Sequence, residues 1–424
     1  MDTIFALSSG QPPAAIAVLR VSGPQAGEAL AVLAGGLPEP RHASLRALRD
    51  ADGALLDESL VLWFPGPDSA TGEDLAEFHL HGGRAVVAGV ERALGAMAGL
   101  RRAEPGEFTR RAFANGRIDL AEAEGLADLL AAETELQRRA ALDMAGGSLS
   151  RRVGEWRERL LTQSAALEAV LDFADEDDVA VLPAQFLNDI SALQRDIAAA
   201  LAAPHAETLR EGFRVVLAGP PNAGKSTLFN ALVESEAAIT AASAGTTRDV
   251  LVRPVALGGV PFSFVDTAGL REDAAEEVEA IGIARAEAEL DRADLVLWLG
   301  PDGEGPKGAW EVEAQADRPG HLAKVAPRSR VSALTGEGIA DLKRALVGEA
   351  MGAMPKPGES ALNARQRGLL GDAAAALAGA EGEGDPLILA ERLRLARVAF
   401  DRLTGRAATE DMLDALFGRF CIGK

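Results

Sequence analysis

The chain has 424 residues, 48% hydrophobic and 25% charged, with a net charge of −21 and one cysteine. That length allows about two to four domains with real cores. The acidity excludes attraction of nucleic acid by the whole molecule, so an RNA contact needs a local basic patch. The single cysteine, Cys421, excludes an intrachain disulfide and suits a reducing compartment. No apolar run reaches the ~18 residues of a membrane-spanning helix, and residues 1–10 lack the basic start and apolar core of a secretory leader. A cytoplasmic protein without membrane contact is expected.

In residues 1–117, the stretches 2–8, 15–22, 60–64 and 77–81 read as strands. Residues 24–33 and 84–97 read as helices. The alternation predicts a compact α/β or α+β domain. His79 and His81 would share one strand face, where packing or hydrogen bonding suits them better than a metal pair without further ligands. Arg101, Arg102, Arg110, Arg111 and Arg117 cluster around residues 105–108. They form either a salt-bridged surface or an anion site.

In residues 118–210, leucine and alanine recur at three- and four-residue steps over 120–149, 156–171 and 186–201. The spacing predicts long amphipathic helices. The acidic run 172–178 reads as a solvated junction or helix start rather than a metal site.

Residues 211–350 carry the chemistry. Gly219-Pro220-Pro221-Asn222-Ala223-Gly224-Lys225-Ser226 fits the phosphate-loop pattern G-x-x-x-x-G-K-S/T, between a strand at 213–218 and a helix from 227. Glycines let backbone N–H groups face a polyphosphate, Lys225 reaches the outer phosphates, and the Ser226 hydroxyl holds Mg²⁺. Thr247, within Gly245-Thr246-Thr247-Arg248-Asp249, can add a second hydroxyl to the metal. A strand at 262–265 runs into Asp266-Thr267-Ala268-Gly269, where the carboxylate can hold the metal through water and the Gly269 N–H can meet the terminal phosphate. Ser332-Ala333-Leu334 follows the core strand 295–299. In this order the motifs predict a doubly wound α/β guanine-nucleotide domain. Residues 351–424 are helical again. The expected fold is multidomain: an N-terminal α+β domain, and a helical domain into which the nucleotide domain is inserted.

The chain resembles the bacterial and organellar tRNA-modification GTPases called MnmE or TrmE. The resemblance rests on Trp63 to Pro67 with Thr71 to Asp74, on Arg102 to Phe113, and on Asn115 to Leu120. It continues through the phosphate loop, 245–249 and 266–271, to Phe420-Cys421-Ile422-Gly423-Lys424. It implies GTP contacts from Asn222, Ala223, Gly224, Lys225, Ser226 and Thr227. Further GTP contacts are implied for Ala241, Ala242, Ser243, Ala244, Gly245, Thr246 and Thr247, then for Asp266, Thr267, Ala268 and Gly269, and finally for Asp317, Ser332, Ala333 and Leu334. It implies Mg²⁺ on Ser226 and Thr247, and K⁺ at Asn222, Ala241, Ser243 and Thr246 in a homodimer joined across the nucleotide face. K⁺ there places positive charge where phosphoryl transfer develops negative charge. Glu279 matches the glutamate that orients the attacking water.

The head is similar to folate-binding domains. Arg20, Glu77, Arg117 and Lys424 match contacts to a formyl- or methylene-tetrahydrofolate donor, with Arg117 standing where the family has lysine. Cys421 points toward that pocket and is a candidate for a thiolate role. The implied chemistry modifies the wobble uridine of tRNA at carbon 5, with a flavoprotein partner, MnmG, that carries the FAD in a heterotetramer. The rival reading is a G-protein switch in ribosome assembly or signalling. One departure stands out: where the family has Asn-Lys-x-Asp, this chain has Ala314-Gln315-Ala316-Asp317. Asp317 can still accept both guanine N–H groups.

Overall fold

The computed structural model describes residues 2–172, 182–203, 206–234, 251–267, 287–356 and 361–424. Contacts divide the chain into two units, Met1–Ala127 with Ser150–Gly154 and Phe400–Lys424, and Asp128–Leu149 with Glu155–Ala399.

In the first unit, β1 (Thr3–Leu7), β2 (Ile16–Ser22), β3 (Ser44–Arg49), β4 (Leu55–Phe64), β5 (Leu75–His81) and β6 (Leu100–Arg102) form one sheet. Its order is β3-β4-β5-β2-β1-β6. Only β1 and β6 pair in parallel; the other pairs are antiparallel. Strand alternation decides the faces. Phe5, Leu19, Val21 and Phe78 are buried in one cluster with Leu30 of α1 (Ala26–Ala34) and Val90 and Leu94 of α2 (Arg84–Gly95). Ile4, Ala6, Arg20 and Glu77 therefore lie on the opposite face. There Ile4 and Ala6 pack with Phe108 of α3 (Glu107–Ala114). Sequence periodicity missed β3, β6 and α3. β3 is a mostly exposed strand at the sheet edge, so it lacks the apolar face that periodicity detects.

The run 120–149 is not continuous helix. It divides into α4 (Leu120–Ala131), α5 (Glu135–Ala145) and the start of α6 (Ser148–Asp172). The break before α5 is a capping box, in which Thr134 and Gln137 satisfy each other's backbone N–H groups. The acidic run beyond Asp172 lies outside the described residues.

The second unit continues through α7 (Phe186–Leu201), α8 (Ala206–Glu211), β7 (Phe213–Ala218), α9 (Lys225–Val233), β8 (Leu251–Leu257), β9 (Val260–Asp266), β10 (Leu295–Trp298), β11 (Trp310–Glu313) and β12 (Ser329–Arg330). The sheet order is β12-β11-β10-β7-β9-β8. β8 is antiparallel to β9, and the other neighbours are parallel. Every residue of β9 is buried, as a strand covered on both faces requires. The next elements leave β7 on opposite sides, to β9 and to β10. The carboxyl end of β7 is thus the switch point where doubly wound sheets bind ligands. Leu136 and Ala140 of α5 pack on the core of this sheet.

The helices Ile339–Ala353, Ala364–Leu377, Pro386–Leu403 and Glu410–Phe417 follow. Asn363 and Gln366 cap the second with another reciprocal box. Among the described residues, no helix is long and apolar enough to cross a membrane.

Candidate active site

The phosphate loop begins where β7 stops. Gly219 and Gly224 have φ of 149° and 90°, and Asn222 adopts the left-handed region at 63°, which asparagine tolerates better than most residues. Gly224 caps α9, which starts at Lys225, two residues earlier than the sequence predicts. The first turn of a helix presents backbone N–H groups and a positive dipole end, an arrangement that suits an anion. Lys225 is buried, and its Nζ donates to the carbonyls of Gly219 at 2.9 Å and Pro220 at 2.8 Å. Those contacts park the ammonium beside the loop that phosphates would enter.

Across the switch point, Asp266 pairs in register with Leu217 and is 2% exposed. Thr267 Oγ1 donates to the Leu217 carbonyl at 2.8 Å. A cavity of about 430 Å³ opens here, lined by Gly219, Pro220, Lys225, Thr267 and Trp298. Ser226 and Thr227 are exposed at the start of α9. Ser226 and Asp266 are the described residues, of those expected around Mg²⁺, that carry oxygen donors of the kind that ion takes. Residues 241–247, Ala268, Gly269 and Glu279 lie outside the described residues.

The predicted base-side residues converge. Ser332 is fully buried, and its hydroxyl donates to Asp317 Oδ1 at 2.6 Å while accepting the Thr335 N–H at 3.1 Å. The Ala316 N–H donates to the Val331 carbonyl at 3.1 Å, which zips the two loops together. The Ser332 hydroxyl is the main cause holding the Asp317 carboxyl below its ordinary range, against the effect of burial. Ala333 is half-buried and Leu334 exposed.

Sequence reasoning missed what supports this loop. Glu313, on a core strand, is buried, accepting from the Lys324 N–H at 3.1 Å and pairing with His321 at 2.9 Å and Arg330 at 3.2 Å. Lys324 Nζ is bonded to Glu311 and donates to the Trp298 carbonyl at 2.8 Å. Two glutamates alternating in Trp310-Glu311-Val312-Glu313 were the available signal, because a core strand must pair such charges.

In the first unit, Arg20 donates to Glu77 Oε1 from Nε at 3.0 Å and from Nη2 at 2.7 Å. His79 Nε2 lies 3.2 Å from the other Glu77 oxygen, so His79 hydrogen-bonds as expected, and His81 does so with Asp57 at 2.7 Å. Burial pushes the Glu77 carboxyl up, but hydrogen bonds and charge from Arg20, then His79, hold it below its usual value. The Arg20 guanidinium sits 5.9 Å from the Phe108 ring centroid.

The residues Cys421 to Lys424 are fastened to this head. Ile422 bridges Pro105, Ser8 Oγ donates to the Gly423 carbonyl at 2.9 Å, and the Lys424 N–H donates to the Cys421 carbonyl at 3.2 Å. A Cβ on Gly423, at φ 93°, would lie 2.2 Å from the Leu7 carbonyl oxygen, so only glycine permits this approach. Cys421 is exposed. Arg117 stands with Asp68 at 3.6 Å, and no hydrogen bond or ion pair among the described residues joins it to Arg20 and Glu77. The arginine cluster is ion-paired: Arg101 with Asp2 and Glu107, Arg110 with Glu410 and Asp414, and Arg111 with Asp2, Glu73 and Glu107.

Comparison with known proteins decides the family. Residues 3–117 match the family described as GTP-binding protein TrmE N-terminus, and residues 120–421 match the MnmE helical domain. A tRNA modification GTPase MnmE of Erythrobacter litoralis is 64% identical, with all of both chains covered. The chain belongs to the MnmE family. A second member, from Novosphingobium aromaticivorans, is 63% identical, again over the whole of both chains. The G domain of the T. maritima FeoB iron transporter is 27% identical over 32% of this chain and 98% of its own, at a TM-score of 0.23, too low to carry weight.

Proposed function

We propose that this MnmE-family chain is a GTPase whose turnover drives modification of the wobble uridine of tRNA at carbon 5. The observation that carries the reading is the convergence at the carboxyl ends of the sheet. Lys225 and Thr267 line one cavity at the phosphate end, Asp266 pairs with Leu217 at the end of the neighbouring strand, and the Ser332 hydroxyl donates to Asp317 at the base end. The full-length match to tRNA modification GTPases supports the substrate.

The residues divide the work. The α9 N-terminus and Lys225 bind the phosphates, so the ammonium exchanges two carbonyls for phosphate oxygens. Asp317 accepts two N–H groups of guanine, oriented by Ser332. Ser226 and Thr247 would hold Mg²⁺, with Asp266 as a further oxygen donor, and the ion would neutralise phosphate charge. Glu279 orients the attacking water. Asn222, Ala241, Ser243 and Thr246 would hold K⁺, which would supply the positive charge of an arginine finger in a dimer joined across this face.

The head holds a reduced-folate one-carbon donor through Arg20, Glu77, Arg117 and Lys424, with Cys421 at its edge. A charged pair beside the Phe108 ring suits a ligand with both a polar ring edge and an aromatic face. The exposed apolar residues Ile16, Leu45 and Leu60 on that sheet support a second copy as partner. The flavoprotein MnmG, carrying FAD, completes the assembly with tRNA in the cytoplasm. The domain division 1–117, 118–210, 211–350 and 351–424 is part of this proposal.

GTP hydrolysis measured in potassium and in sodium buffer, with magnesium, tests the reading. Turnover stimulated by potassium is expected. Absence of GTP uptake or cleavage in KCl, or preference for ATP, would overturn it.

A further inference from the structure

We infer that Gln315 is the positioning residue that locks the base-reading loop onto the phosphate loop, and so sets affinity for guanine. The inference rests on the reading of Asp317 as the group that accepts the base. In Ala314-Gln315-Ala316-Asp317, the first side chain is a methyl group and cannot tie the loop to anything. The second does so. Gln315 Nε2 donates to the Asn222 carbonyl at 3.1 Å.

Both ends of this contact are unusual. Gln315 has φ 57° and Asn222 φ 63°, so each backbone turns through the left-handed region to meet the other. The Gln315 side chain lies directly over Gly224. A Cβ there would sit 3.0 Å from Nε2 and 3.2 Å from Cγ. The phosphate-loop glycine therefore also makes room for the tether. The amide is oriented from behind, because Arg318 Nη1 donates to Gln315 Oε1 at 3.3 Å and the Arg318 N–H donates to the Gln315 carbonyl at 2.9 Å. Asp317 stands between Gln315 and Arg318 in the chain. Fixing those two fixes the backbone that presents its carboxylate, while Ser332 fixes the carboxylate itself. A loop tied at both ends pays less ordering entropy when the base arrives.

The test compares GTP with ITP, which lacks the 2-amino group that Asp317 would accept. Full-length Gln315→Ala is expected to raise the GTP Kd and KM roughly fivefold, the effect of one neutral hydrogen bond. kcat at saturation stays unchanged, and discrimination between GTP and ITP falls. Gln315→Lys keeps a donor over Gly224 and is expected to restore GTP affinity; Gln315→Glu, which cannot donate, is not. A purely structural role predicts no rescue by lysine and no change in base discrimination. Asp317→Asn is measured in parallel. If it weakens GTP binding while Gln315→Ala leaves the Kd within about twofold of the parent, this inference fails alone. If Asp317→Asn leaves GTP binding intact, the reading of Asp317 fails and takes the inference with it.

Discussion

Arg20 and Glu77 face each other across neighbouring strands, with Nη2 2.7 Å from Oε1, on the sheet face turned away from the α1–α2 core. The pair is half-buried, so each charge depends on the other. Arg20→Met should strand the carboxylate, at a cost of about 1–3 kcal/mol, and should abolish binding of a reduced folate. Glu77 has a depressed folded value, so its contribution is present above the unfolded pKa and is lost as pH falls through the folded one. The melting-temperature gap between parent and variant should therefore narrow in acid. A constant gap would mean that Glu77 is not the partner that matters.

Ser332 is the simplest probe of the base site. Ser332→Ala removes the hydroxyl that orients Asp317 and leaves the Thr335 N–H without that acceptor. KM for GTP should rise roughly fivefold, for about 1 kcal/mol lost, with kcat little changed. Steady-state kinetics checks this.

Glu313 and His321 make the same region sensitive to pH. The Lys324 N–H, then His321, hold the Glu313 carboxyl low; the hydrogen bond to Glu313, then the Arg318 carbonyl, holds the His321 imidazole above its ordinary value, although Arg330 opposes it. The histidine's contribution is complete below its unfolded value of about 6.5 and is lost as pH rises through the folded value. The glutamate's contribution is lost only on strong acidification. GTP affinity should thus decline as pH rises through the histidine's range, and His321→Asn should flatten that slope. Isothermal titration across pH 5.5 to 8.5, from about one unit below to about two units above histidine's ordinary value, decides the matter.

Substitution of Cys421 tests whether the two proposed activities separate. Cys421→Ser should leave potassium-dependent GTP hydrolysis intact and abolish tRNA modification. Gly423→Ala should impair modification as well, because its methyl group cannot coexist with the Leu7 carbonyl. Unchanged modification in Cys421→Ser rules out the thiolate role.

The sequence was most legible where local chemistry repeats a pattern. The span 213–218 is β7 as read, because six residues with no charge but Arg214 suit a covered strand. Phe186–Leu201 is also as read, its apolar stripe matching the buried Ile190, Leu193 and Ile197. Ser332 was singled out from motif order and Asp317 from the family resemblance, and the fold places them in contact. What escaped was set by tertiary partners. Leu120 to Leu149 kept a helical period across two turns, although Thr134-x-x-Gln137 marked a start that could have been read. On the helix Ala364–Leu377, the buried stripe is Gln366, Leu369, Leu370, Ala373 and Leu377, and its polar first member breaks the apolar period. No periodicity could reveal that Gln315 reaches Asn222, since 93 residues separate them.

Ser8 and Gly423 are 415 positions apart yet share a hydrogen bond. During synthesis, the head's sheet can condense as soon as Leu100 to Arg102 leave the ribosome, since its six strands are then all present. The edge that carries Cys421 must wait until the whole nucleotide unit has been made. Translation order thus leaves the head's last contacts unmade until the nucleotide unit has left the ribosome.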